Sequence, residues 1–279
     1  MTFVELCCGT AGVSQYVVGG WRLRALTAYQ GGKIRYASAI LAALGAWDRP
    51  DRLVLCDAGP WARVWQTLLV DHRWGDVQGH LAELARGQLQ GAALFQSLAT
   101  CPPPADSAKW AATFLALQSA SARGRPITYR PDSWRTAGYA HLSKAAVAKG
   151  FRDRLRPGLL AGRVRALSGL GWPPTTVMHC GADDVPVQAD AVVYIDPPYE
   201  GTTGYADDLP RGQLLDLAKR WATAGAVVAI SEAEPLPLAG WHHLAIEPAR
   251  RTMGQHARHS TEWLTINRPP RGQASLGLS

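Results

Sequence analysis

The chain has 279 residues, 47% of them apolar, and a formal net charge of +7, enough to bury a large core in one domain with an insertion or in two unequal domains. No apolar run approaches the roughly 18 residues of a membrane span, and the start, Met1–Leu6, carries an acid early instead of a basic leader. Five cysteines without Cys-x-x-Cys or zinc-ligand spacing argue against a disulfide framework and a structural metal, so a reducing cytoplasm is the expected compartment.

Phe3-Val4-Glu5-Leu6 reads as a short strand, followed by the small-residue loop Cys7-Cys8-Gly9-Thr10-Ala11-Gly12 and a helix start over 13–18. Strand, glycine loop and helix form the opening of a nucleotide-binding α/β unit. The third glycine of a dinucleotide fingerprint is missing, so a pyrophosphate is not specially favoured; Gly9 and Gly12 allow close backbone approach to a ligand without phosphate. Ala28-Tyr29-Gln30-Gly31-Gly32-Lys33 comes next, ahead of a helical pattern that ends at Gly45. The glycine pair permits a tight turn, and Lys33 at the helix entrance can reach an anionic group. Arg52-Leu53-Val54-Leu55-Cys56-Asp57 is a second buried strand ending in an acid, a position that commonly accepts hydrogen bonds from ribose hydroxyls. A helix from Trp61 toward Leu69 follows.

Between 70 and 174 the pattern weakens. Helices are expected near 78–94, 108–122 and 141–149, with a break at Cys101-Pro102-Pro103-Pro104. From Arg123 to Arg165 eleven lysines and arginines face only Asp132 and Asp153. So one-sided an excess fits a face that neutralises phosphates, with Arg123, Arg125, Arg130, Arg135 and Lys144 as candidate contacts. Tyr129, Trp134, Tyr139 and Phe151 lie among them and offer rings for wedging or stacking on bases, though some are expected in the core of a helical subdomain.

Thr175 to Cys180 is another strand, followed by Gly181-Ala182-Asp183-Asp184. The β-branched run Ala191 to Ile195 leads into Asp196-Pro197-Pro198-Tyr199. Two prolines cannot continue a central strand, so the chain must leave the sheet there and present Asp196 and Tyr199 at a strand's carboxyl end. A carboxylate, prolyl carbonyls and an aromatic face suit a flat ring bearing an amino group: the oxygens accept both amine protons while the ring stacks on tyrosine. Pro210 to Ala218 reads as an amphipathic helix and Ala226 to Ser231 as a buried strand. Trp241–Ile246 and Glu262–Asn267 read as a closing antiparallel pair, joined by a basic loop with Arg250, Arg251 and Arg258 that can grip DNA. The Pro/Gly/Ser-rich end reads as disordered.

The tetrad at 196–199 resembles the Asp-Pro-Pro-Tyr motif of amino-methylating DNA methyltransferases, and with Glu200-Gly201-Thr202-Thr203-Gly204-Tyr205 it is similar to the DNA adenine methylase family. The resemblance implies a Rossmann-like α/β fold, a mostly parallel seven-stranded sheet with a helical target-recognition insert. The catalytic domain would span 1–70 and 175–268, the recognition insert 71–174 and the tail 269–279. It also implies S-adenosylmethionine as cofactor, with Glu5, Cys7, Gly9, Gly12, Tyr29, Lys33, Asp57, Asp183 and Asp196 around it, Asp184 competing with Asp183 for the acid beside the cofactor's adenine. Asp196, Pro197, Pro198 and Tyr199 would be catalytic, and the partner double-stranded DNA with a flipped adenine; no metal or membrane is implied. One departure stands out: the aromatic-x-Gly-Gly-Lys element precedes the first strand in that family but follows it here, so Lys33 must be brought back to the site by the fold. The alternatives are the same chemistry on cytosine's amino group, a catalytically silent DNA-binding module, and a methyltransferase acting on RNA or protein.

Overall fold

The computed structural model describes residues 1–20, 25–27, 29–141, 154–199, 209–247 and 262–270. The predicted strands are present as β1 (Thr2–Leu6), β2 (Arg52–Cys56), β5 (Thr175–Met178), β6 (Val192–Ile195), β7 (Val227–Glu232), β8 (His242–Ile246) and β9 (Glu262–Ile266). Together they make one seven-stranded sheet of order β5-β2-β1-β6-β7-β9-β8. All neighbours pair in parallel except β9, which runs antiparallel to both β7 and β8. On one side of β1 the strands run outward as β2 then β5, and on the other as β6 then β7. The strand order therefore reverses at β1, and open α/β sheets bind ligands at such a switch point.

Because side chains alternate along a strand, each strand feeds two cores. Phe3, Leu53, Leu55 and Tyr194 belong to the cluster on one face; Val4, Leu6, Val54, Val193 and Ile195 belong to the other. The second face is closed by α8 (Arg211–Thr223), which turns Leu214, Leu217, Ala218 and Trp221 inward. The first face is thicker. It carries α1 (Gly12–Gly19), α2 (Ala37–Leu44) and α3 (Pro60–Trp65), the last prolonged by a π-turn over Gln66–Val70. It also carries α4 (Trp74–Arg86), α5 (Gly91–Thr100), α6 (Ser107–Ala120) and α7 (Pro157–Ser168). Val77, Leu81, Trp110 and Phe114 of the 71–174 stretch share one apolar cluster with Phe3, Leu53 and Trp61 of the sheet side. None of the described helices is long and apolar enough to cross a membrane.

Within this stretch the structure corrects the sequence reading in three places. The helix expected over 78–94 is two helices, interrupted between Gly87, where α4 ends, and Gly91, whose φ of +57° is a left-handed conformation that glycine tolerates. Residues 128–135 form a hairpin, β3 (Thr128–Arg130) and β4 (Ser133–Arg135), turned by Pro131-Asp132, a turn-forming pair passed over in the basic run. α7 lies inside the same run. Pro157 starts it, and Leu160, Ala161, Val164 and Leu167 are its buried stripe. The helix expected at 141–149 falls almost wholly outside the described residues, as do Phe151 and residues 200–205.

Candidate active site

A cavity of about 1300 Å³ opens over the carboxyl ends of the parallel strands. Its walls come from the segments after β1, β2, β5 and β6, together with 29–36 and 121–128, and they include every residue that the sequence singled out for cofactor binding or catalysis. Each parallel strand ends at the same edge, so residues far apart in sequence converge there without any local signal.

At one end of the cavity the polar groups are held by backbone. The Asp57 carboxylate accepts from the Gly9 amide through Oδ2 and from the Gly59 amide through Oδ1, both at 2.8 Å. Both carboxylate oxygens are thus fixed by backbone at the cavity wall. Trp65 Nε1 donates to the Gly9 carbonyl at 2.8 Å, which fixes the next peptide, so Gly9 is held on both sides. Cys7 and Ala11 take φ of +55° and +48°, strained values for non-glycine residues that cluster at functional loops.

The two glycines serve a purpose the sequence did not show. A Cβ on Gly12 would lie 2.7 Å from the Ile34 backbone nitrogen, and one on Gly9 3.0 Å from the Tyr29 ring. They let the glycine-lysine segment fold down onto the first loop. This closeness reconciles the unusual order of the two elements, because Lys33 reaches the tetrad from its new place in the chain. Tyr29 packs edge-on against Trp61 at 5.6 Å and lines the cavity.

Glu5 and Cys7 also line it. The Glu5 carboxylate is buried and accepts from the Ser14 amide at 2.8 Å, the Ser14 hydroxyl and the Val13 amide at 3.4 Å. It thus caps α1 and fixes the loop rather than reaching out as a free ligand. Burial pushes its pKa up to about 7 despite those hydrogen bonds. Asp183 and Asp184 both sit exposed on the rim, and Asp183 Oδ1 lies 3.7 Å from the Arg220 guanidinium.

At the other end charged side chains meet each other. Asp196 follows β6, its amide bonded to the Leu6 carbonyl at 3.2 Å. Its Oδ1 lies 2.7 Å from Lys33 Nζ, which also donates to the Gly31 carbonyl at 2.9 Å and sits 4.8 Å from the Tyr199 ring centre. Desolvation raises the Asp196 pKa, while Lys33 pulls it back down. Glu262, the first residue of β9, completes the group: its Oε1 is 3.5 Å from Lys33 Nζ and accepts from the Tyr199 hydroxyl. Desolvation pushes its pKa up to about 7.

Glu262 was missed in the sequence, although a signal existed. It stands in phase with the buried Leu264 and Ile266 on a strand's inward face, where a charge needs a partner. Thr27 was missed as well; it lines the cavity, and its buried hydroxyl finds no partner among the described residues.

The expected nucleic-acid contacts divide. Arg123 is exposed and lines the cavity mouth. Arg125, Arg130 and Arg135 are exposed, the last two on the hairpin, and lie off the cavity wall. Lys144, Arg250, Arg251 and Arg258 lie outside the described residues. Trp134 is a core residue, 7% exposed, with ring centres of Trp110 at 5.5 Å and Tyr129 at 5.9 Å; it is not placed to stack on a base. Tyr139 packs on Phe95 at 5.6 Å, and its hydroxyl accepts from the Arg154 amide at 3.2 Å.

No family model matches the chain, and no curated protein matches it. Among solved structures it is similar to the rRNA methyltransferase aviRa from Streptomyces viridochromogenes, with 16% identity over 95% of this chain and 75% of that one and a TM-score of 0.32. A likeness at that level carries no weight for fold or chemistry, which rest on the topology and the site geometry described above.

Proposed function

We propose that the protein is a methyltransferase that moves a methyl group from S-adenosylmethionine to the exocyclic amino group of adenine in DNA. The observation that supports this best is one shared cavity: Asp196, Pro197, Pro198 and Tyr199 open into the same space as the Asp57–Gly9 loop, across the sheet's switch point. The residues suit the cofactor. Asp57 brings a backbone-fixed carboxylate to the wall where ribose hydroxyls would lie, Thr27 has a hydroxyl to offer, and the carboxylates of Asp57 and Asp196 favour a cationic sulfonium nearby.

When bound, S-adenosylmethionine supplies an electrophilic methyl group on a good leaving group; the chain's residues do the positioning. Asp196 and the Pro197 carbonyl accept the two amine protons and turn the nitrogen lone pair toward the cofactor side. Tyr199 stacks on the base. The tetrad lies inside the cavity, so a base must leave its duplex to reach it. Holding both partners at contact distance supplies the rate, and no covalent protein nucleophile is required.

Purified protein incubated with methyl-labelled S-adenosylmethionine and unmethylated duplex DNA, alongside Asp196→Ala, tests the reading. Label in methyladenine is expected, reduced at least a thousandfold in the variant, about 4 kcal/mol of transition-state stabilisation. Label that persists in Asp196→Ala would overturn the mechanism. Methylcytosine, or label only in RNA, would replace the acceptor.

A further inference from the structure

Lys33 competes for the carboxylate that the proposed acceptor amine needs. Its ammonium is 2.7 Å from the same Asp196 carboxylate and 4.8 Å from the centre of the same Tyr199 ring. An amine cannot occupy that position while Lys33 holds it. The ammonium is also buried, its side chain 4% exposed, so it cannot simply leave for water. Glu262 Oε1 lies 3.5 Å from the same ammonium, and the Glu262 side chain is itself only 9% exposed. Both carboxylates thus lie within ion-pair distance of the one ammonium, the Asp196 contact being the shorter.

Building on the reading above, we propose that Glu262 is the alternative seat of the Lys33 ammonium, taking it when an acceptor amine binds Asp196, and so acts as a positioning residue that sets acceptor affinity. Through its hydrogen bond from the Tyr199 hydroxyl the same carboxylate also orients the stacking ring. Among the described residues, the charged and titratable groups around it are Lys33 and Tyr36 from the glycine-lysine segment, Tyr194, Asp196 and Tyr199 from β6 and the turn after it, and, beside Lys33 and Asp196, Glu232 of β7. Desolvation raises the pKa of Asp196 and Glu232, and it pushes that of Glu262, which faces Lys33 directly, up to about 7. Below that pH the protonated acid cannot hold the ammonium, and Lys33 stays on Asp196. Above it the second seat is available.

Steady-state methyl transfer by the full chain between pH 5.5 and 8.5 tests this, comparing wild type with Glu262→Gln and Glu262→Asp. In the wild type kcat/KM for acceptor DNA should rise with pH through about 7. In Glu262→Gln the rise should vanish and the acceptor KM should increase at least tenfold, with the cofactor Kd within twofold of wild type; Glu262→Asp should restore part of the rise. An unchanged profile in Glu262→Gln, or a loss that follows the cofactor Kd, would overturn the proposal. A second readout needs no turnover: the Lys33 Cε carbon resonance should step near pH 7 in wild type and not in Glu262→Gln, and a wild type without the step would also overturn it. A wild type that shows the step but methylates no nucleic acid would sink the proposed reaction while leaving the two seats of Lys33 in place.

Discussion

The two ends of the cavity are built on different principles. At the Asp57 end a carboxylate is anchored by the Gly9 and Gly59 amides, so its position is set by the backbone of two loops. At the Asp196 end a lysine, two carboxylates and a phenol hold one another, and their arrangement depends on which proton sits where. The first end is preorganised to grip something of constant shape. The second can rearrange when a polar group enters. That contrast suits the proposed two-substrate reaction: one partner common to every turnover, the other arriving with its own hydrogen-bonding demand.

Removing the fixed anchor should produce the largest separation between the ends. Asp57→Ala deletes an acceptor of charge-assisted hydrogen bonds, each contributing about 1.5–3 kcal/mol. Isothermal titration calorimetry should show the S-adenosylmethionine Kd raised by roughly thirty- to a hundredfold, with the acceptor KM little affected. Equal losses in both parameters would mean that the ends are not independent.

Gly12→Ala probes the joint between them. The added methyl meets the Ile34 backbone nitrogen at 2.7 Å, and backbone cannot yield as a flexible side-chain tip can. We expect about 1–3 kcal/mol of destabilisation by chemical denaturation. Turnover should fall more than cofactor affinity, because the displaced segment carries Lys33. A stable variant with normal turnover would show that this close approach does not position the lysine.

The smallest effect concerns pH and stability. The folded pKa of Glu5 is about 7 against an ordinary 4.5, raised by burial. A carboxyl with a raised folded pKa contributes stability that is fully present below about pH 4.5 and is lost as pH rises through about 7. Glu262, raised to about 7, acts in the same direction. The melting temperature should therefore fall by a few degrees between pH 5 and 8, and Glu5→Gln should flatten that slope. A variant with the wild-type slope would show that Glu5 does not titrate in this window.

Local pattern was enough for the strands, because buried β-branched runs between glycine and proline boundaries have few other uses. It also placed Asp57, Asp196 and Tyr199 at strand ends, since an acid or a proline pair after such a run must leave the sheet. Pattern failed between 70 and 174. There a composition-led reading grouped arginines by sequence, while the chain folded Trp134 into a core with Trp110 and Phe114 and placed α7 and a hairpin within the same stretch. Charge density says that a segment is solvated on one side; it does not say which rings face inward.

Glu262 shows the other limit. It lies 66 positions beyond Asp196 and 229 beyond Lys33 in the chain. The three meet because β9 inserts beside β7, which places its first residue near the tip of the parallel strands. Side-chain type, spacing and turn chemistry act over a few residues and are legible in the sequence. The pairing of carboxylates with one ammonium acts through space, and only the order of strands in the sheet decides which charges come within reach.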